Sequence, residues 1–97
     1  MRTMMRVTIP AEHGNKAVKE GTMGKIVGQF MEQHRPEAAY FTANAGSRCA
    51  YFFLDLKDSS EMVGLAEPFY MGLHAHVEFQ PAMNPQDLKA GLEKLKL

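Results

Sequence analysis

Two histidines and a carboxylate recur at alternate positions in the last third of the chain, at His74, His76 and Glu78. Residues two apart on a β-strand point to the same face, so a strand here would place both imidazoles and the carboxylate together. Such a set can exchange protons near neutral pH or hold a divalent metal with open positions. In the structural alternative, one histidine lies at the strand's frayed end and the other is hydrogen-bonded within the sheet.

We take His76 and Glu78 as candidate catalytic residues and His74 as a candidate ligand contact. We expect no metal and no cofactor.

A second polar group alternates with apolar residues between Met4 and Pro10. This period of two predicts a half-buried strand that presents Arg6 and Thr8 on its polar face. If this strand lies beside the strand of Glu78, Arg6 and Glu78 form a cross-strand ion pair. That pair is either purely structural or orients a polar or anionic ligand. We therefore include Arg6 and Thr8 among the candidate ligand-binding residues.

The most strand-like run is Arg48–Leu56, RCAYFFLDL. It is apolar on both faces, so both faces need cover. Tyr51 and Phe53 fall on one face and, with Tyr40 from the preceding apolar run, either line a ligand cavity or fill a dimer interface. The register of the strand over 38–43 is ambiguous, because either Tyr40 and Thr42 or Phe41 and Ala43 could share that face.

Other reactive side chains favour structural interpretations. Arg48 could bind an anion at the start of its strand, although an exposed hairpin arginine is the simpler expectation. Cys49 is the single cysteine, which excludes an internal disulfide, and it has no neighbour in the sequence that would activate its thiol. No phosphate-binding glycine loop, cysteine zinc spacing or serine nucleophile elbow is present.

Bulk composition narrows the classes of function. With 97 residues we expect one domain spanning 1–97, and 11 basic against 11 acidic residues give a formal net charge of +0. No basic excess points to nucleic acid or to an anionic membrane. The N-terminus shows no signal peptide, and no run of about 18 apolar residues exists. We expect a cytoplasmic protein.

Helical spacing over 15–34 predicts a first helix capped by Asn15 and ended by Arg35-Pro36. Gly21, Gly24 and Gly28 recur in it, and either form a small-residue strip for close packing or mark a break near Gly21. Both alternatives stay open.

The later elements have clear boundaries in the sequence. Asp58, with Glu61 three residues on, predicts the start of a second helix, and Pro68 predicts a kink or an end near Glu67. A fourth strand follows from His74 until Pro81. Asn84-Pro85 then begins a C-terminal helix. We expect the apolar stripe of this helix to pack against another part of the structure. The stripe consists of Leu88, Leu92 and Leu95.

This order of elements is the ferredoxin-like βαββαβ pattern, followed by an extra helix. Right-handed crossovers place two helices on one face of a four-stranded antiparallel sheet of order 4-1-3-2. The predicted helix-facing set is Met5, Val7, Ile9, Ala50, Phe52, Leu54, Ala75, Val77 and Phe79. The predicted opposite face carries Arg6, Thr8, Tyr51, Phe53, Asp55, His74, His76 and Glu78. That second face is too apolar for ordinary solvent surface, and a two-fold sheet-to-sheet dimer would cover it.

The stretches GSRCAYFFLDLKDSSEM and HAHVEFQPAMN, together with the element order and size, resemble the dimeric α+β barrel superfamily, above all its small uncharacterised bacterial members. The superfamily also includes muconolactone isomerases and antibiotic-biosynthesis-type monooxygenases. The resemblance implies a homodimer with a ligand space between two sheets. The chain has no tryptophan and no match to a heme-degrading motif, so the resemblance does not extend to those activities.

Two functions follow from these expectations. The first is a small homodimer that binds a small organic molecule between the sheets, acting as a cofactor-free isomerase or oxygenase. The second is a non-catalytic binding or interaction module whose sheet face is only a dimer interface. A polar-lined cavity reaching His76 and Tyr51 favours the first, whereas an interface packed to the density of a protein interior favours the second.

Overall fold

A computed structural model describes all residues from Met1 to Leu97. The chain forms four strands and four helices: β1 (Arg2–Ile9), α1 (Ala11–Glu20), α2 (Thr22–His34), β2 (Ala38–Asn44), β3 (Ser47–Asp55), α3 (Glu61–Leu73), β4 (His76–Pro81) and α4 (Pro85–Glu93). None of these helices is both long enough and apolar enough to cross a membrane.

The four strands form one antiparallel sheet of order β2-β3-β1-β4. Read from the other edge, this is the predicted order 4-1-3-2, which is therefore confirmed. With helices α1 to α3 on one face, the architecture is compatible with a ferredoxin-like fold. Ala45 and Gly46 both have positive φ angles, 51° and 81°, as a tight two-residue hairpin turn between β2 and β3 requires.

Alternation along the strands decides which side chains enter the core. Met5, Val7 and Phe52 are fully buried on the helix-facing side and pack with Phe30 of α2 and Phe69 of α3. The three phenylalanine rings lie 4.5–5.9 Å apart in tilted arrangements, which are favourable geometries for aromatic pairs. The predicted helix-facing set is confirmed in its orientation, except that Ala75 is buried just before β4 begins.

The predicted single helix over 15–34 is two helices. The first begins directly after Pro10, so Asn15 lies inside α1 and does not cap it. The backbone then turns at Gly21, which adopts a left-handed φ of 80°. Gly21 is the C-cap of α1 and the N-cap of α2. Glycine adopts this conformation without the penalty of a Cβ, and the break near Gly21 is thereby confirmed. The helix does end at Arg35, as predicted.

The second predicted helix is longer than the sequence suggested. Glu61 accepts a hydrogen bond from the backbone N–H of Asp58, which is one half of the expected capping box. The other half does not form, because the Asp58 carboxylate accepts from Ser60, and Ser60 is the N-cap of a helix that begins at Glu61. Pro68 does not end α3, which continues to Leu73.

The C-terminal helix α4 begins where predicted. Asn84 and Asp87 form a reciprocal capping box, with Pro85 as the first helical residue. No residue of α4 is buried, and Leu88, Leu92 and Leu95 are 49%, 56% and 56% exposed. The expectation that these leucines lie against something is wrong within this chain. Consistent with this, the molecule is elongated, 55 × 27 × 18 Å.

Candidate functional site

The sheet face away from the helices, here called the outer face, carries no covering element of the chain. The strand pairings arrange its side chains in three rows across β4, β1, β3 and β2. The rows are His76-Thr8-Cys49-Thr42, Glu78-Arg6-Tyr51-Tyr40, and Gln80-Met4-Phe53-Ala38. The middle row is the most charged, and the rows beside it are largely uncharged.

Arg6 and Glu78 form the predicted cross-strand ion pair at the centre of the outer face. Two parallel hydrogen bonds join them, from Arg6 Nε to Glu78 Oε1 at 3.2 Å and from Nη2 to Oε2 at 2.6 Å. The hydrogen bond from Arg6 lowers the pKa of Glu78, and the charges of Arg6 and His76 lower it further. The pKa of Arg6 is raised, first by Glu78 and then by the hydroxyl of Tyr51. Glu78 is therefore an ionised acceptor at neutral pH and a weak base.

His76 lies at the start of β4 beside this pair. Its Nε2 atom is 3.6 Å from Glu78 Oε1, and its side chain is 75% exposed. The imidazole therefore lies near the carboxylate without a hydrogen bond to it, and it is open to a ligand. Of the residues on the outer face, His76 is the one imidazole, and its ring nitrogens can donate to or accept from a ligand.

The register of β2 places its tyrosine on the outer face. Tyr40 lies opposite Tyr51, and Phe41 lies opposite Ala50 on the helix-facing side. Side chains directly opposite on paired strands are close neighbours, so Tyr40 lies beside Tyr51, and Phe53 follows Tyr51 on the same face of β3. We call these three residues the aromatic group. Tyr40 is 65% exposed. The structure thus brings together seven of the eight predicted site residues on the outer face, including Thr8, whose Oγ1 lies 3.8 Å from Cys49 Sγ.

The remaining one, His74, is elsewhere. It is the C-terminal cap of α3, with a left-handed φ of 52°, and β4 begins two residues later. The prediction that His74 and His76 share a strand face is therefore wrong, and the His74-His76-Glu78 metal site loses one ligand. The ring of His74 stacks on that of His13 in α1, with centroids 3.9 Å apart and planes inclined by 22°.

Sequence reasoning missed this stacked pair because His13 and His74 are far apart in the chain. The Nδ1 atom of His13 is buried without a hydrogen-bond partner. A cleft of about 250 Å³ beside the pair is also lined by Lys16, Glu20 and Thr22. No group of three or more histidine, cysteine, aspartate or glutamate side chains is arranged to hold a metal ion anywhere in the chain.

Two cavities of the single chain lie away from His76 and Tyr51. A polar cleft of about 660 Å³ at one end of the sheet surrounds Arg2, which hydrogen-bonds both Glu37 and Asp87. A nearly apolar groove of about 350 Å³ lies on the helix side, between α2 and the β2–β3 hairpin. Neither is lined by His76 or Tyr51.

Fold and site together define a small α+β protein with a bare, partly aromatic sheet face around one ion pair. No family model, no curated protein and no solved structure matches this chain.

Proposed function

We propose that the chain forms a homodimer through its outer face and binds a small organic molecule between the two sheets, in the manner of a dimeric α+β barrel. The observation that carries this proposal is the outer face itself. It presents Tyr40, Tyr51, Phe53 and Met4 around the Arg6–Glu78 pair and has no cover from its own chain. Tyr40 is exposed and the other three are partly exposed, and contiguous apolar surface left open to solvent marks an interaction site.

A two-fold arrangement supports this proposal because it covers both copies with the same residues. The exposed leucines of α4 supply further apolar surface for self-association, since a nine-residue helix with no packing partner is marginal in water. The absence of a strongly basic or acidic balance is compatible with a cytoplasmic protein and gives no support for nucleic acid or membrane partners.

The roles proposed for the site residues follow from their environments. His76 exchanges protons with the ligand, because it is exposed and held beside a carboxylate. Glu78 is ionised and orients His76 and Arg6. Arg6 and Thr8 contact polar groups of the ligand, and Tyr40, Tyr51 and Phe53 pack against its apolar part. A cofactor-free isomerase or oxygenase is the class of enzyme that this arrangement suits.

The alternative is a non-catalytic dimeric module with no ligand at the interface. One observation favours it: Arg6 and Glu78 satisfy each other through two hydrogen bonds, so neither needs a ligand. In this alternative the aromatic side chains fill the interface completely.

Light scattering at micromolar concentration tests the dimer, and a monomer would overturn both versions of the proposal. A crystal structure of the dimer then separates the two versions. Residual density or an open cavity between His76, Glu78 and Tyr51 supports a ligand site, whereas an interface packed without space supports the module. For any ligand so identified, His76→Ala should weaken binding and leave the circular dichroism spectrum unchanged. Unaltered affinity would remove His76 from the site.

A further inference from the structure

The apolar groove on the helix side of the sheet is a second candidate binding site, separate from the outer face. Its floor consists of buried core side chains, among them Val7, Ile9 and Phe69. Its walls come from Met23 and Val27 of α2 and from Phe41 of β2, which is 58% exposed although it faces the helices. A volume of about 350 Å³ lies within the range of small-molecule sites, which are mostly apolar with a few placed polar groups.

A missing side chain keeps the groove open. Gly24 of α2 lines it, and a Cβ added there would meet no heavy atom within 4 Å. The helix and the hairpin therefore leave the mouth of the groove open above the buried core side chains. Apolar surface in such a concave site is better covered by an apolar ligand than by water.

One charged residue lines the groove, and it is Arg48. Arg48 shares the helix-facing side of β3 with Ala50, and its Nη1 donates to Asn15 Oδ1 at 3.0 Å. It takes part in none of the chain's ion pairs. No aspartate or glutamate lines the groove. The only formal charge at the site is thus a guanidinium without an anionic partner, and a guanidinium matches a carboxylate through paired hydrogen bonds.

We propose that this groove binds an apolar carboxylate of the size of a medium-chain fatty acid, with its hydrocarbon part along α2 and its carboxylate at Arg48. The apolar lining selects the body of the ligand, and the unpaired cation selects its head. This site lies on the opposite side of the sheet from His76, so it does not depend on the function proposed for the outer face.

Titration of the full-length chain with decanoate, at a concentration without micelles, tests the proposal. Decan-1-ol serves as the uncharged ligand of equal length. We expect decanoate to bind about fivefold more tightly than decanol, which is the typical size of an exposed charge pair. Two-dimensional NMR should show amide shifts in α2 and β2 and none in β4. Equal binding of the two compounds, no binding, or shifts confined to the outer face would overturn the proposal.

Paired variants separate charge from shape. Arg48→Gln should abolish the preference for decanoate over decanol, and Arg48→Lys should retain part of it. Gly24→Leu should fill the groove and weaken both ligands at least tenfold, whereas Gly24→Ala should change neither by more than about twofold. His76→Ala should leave decanoate binding intact. If Gly24→Leu has no effect, the groove is not the site.

The remaining competitor for the groove is α4 of a second copy. In that case the wild-type protein would not bind decanoate, whereas the Leu92→Glu variant, in which the apolar stripe of α4 is disrupted, would bind it. That result would overturn the small-ligand proposal, whereas equal binding by wild type and Leu92→Glu would support it.

Discussion

Arg6 and Glu78 face each other across the β1–β4 pairing and share two hydrogen bonds at the centre of an otherwise uncovered sheet face. The pair fixes the charge state of Glu78 and holds it 3.6 Å from His76. Its consequence for stability can be measured directly.

We predict that the Arg6–Glu78 pair stabilises the fold at neutral pH and not in acid. The pKa of Glu78 is lowered in the folded state. Its contribution is therefore fully present above the ordinary pKa, near 4.5, and is lost as the pH falls through the lowered value. The difference in unfolding free energy between wild type and Glu78→Gln should shrink from pH 7 to pH 3 in urea titrations. Glu93→Gln is the control, because it removes an exposed carboxylate that forms no ion pair. If its effect on the unfolding free energy depended on pH in the same way, the stabilisation could not be assigned to the Arg6–Glu78 pair.

The outer face should tolerate charge in the single chain but not in the proposed dimer. Phe53→Asp places a carboxylate within the aromatic group, so we expect the dimer dissociation constant to rise at least tenfold while circular dichroism stays unchanged. Val63→Asp is the matched control, because Val63 is a 65% exposed residue of α3 on the other side of the molecule. Sedimentation velocity gives both constants, and equal effects of the two changes would exclude the outer face as the interface.

Helix α4 should matter for association and not for the folded core. Leu92 is 56% exposed and no residue of α4 is buried, so Leu92→Glu should change the unfolding free energy of the monomer by no more than about 0.5 kcal/mol. In the proposed dimer, where the apolar stripe is covered, the same change should weaken association. Lys89→Ser, on the same helix, should leave the dimer constant as it is. A dimer unaffected by Leu92→Glu would show that α4 does not contribute to it.

Two glycine-to-alanine changes should have opposite effects on the free energy of unfolding. Gly21 has a φ of 80°, so Gly21→Ala forces alanine into the left-handed region and should destabilise the protein by about 1 kcal/mol. Gly28 lies inside α2, and a Cβ there meets no heavy atom within 4 Å. Gly28→Ala should therefore stabilise the protein by about 0.5–1 kcal/mol. Chemical denaturation measures both, and equal signs would contradict the break at Gly21.

Much of the fold could be predicted from local patterns. Alternation with a period of two assigned Met5 and Val7 to the core and Arg6 to the other face, because strand geometry fixes side-chain direction. The cap at Asn84 was readable because backbone groups at helix ends need partners close in sequence. The stop at Arg35 was readable because a residue before proline disfavours the helical conformation. The order of the four strands followed from the order of the elements and the handedness of the crossovers.

Other features depended on contacts between distant residues. The place of Tyr40 on the outer face follows from the pairing of β2 with β3, since both of its faces are apolar and the pattern alone is ambiguous. His74 left the predicted strand because α3 continues through Pro68. Its stack on His13 and the groove beside Arg48 arise where α1 and α2 pack on the sheet.

The sequence by itself determined the strands, the sheet order and the chemical character of each face, because these depend on the periodicity and turn chemistry of short segments. Only the tertiary structure decided which side chains meet. It set the distance between His76 and Glu78, separated His74 from them, and left α4 and the groove at Gly24 without cover. These properties depend on how whole elements pack against one another, and no local pattern encodes that packing.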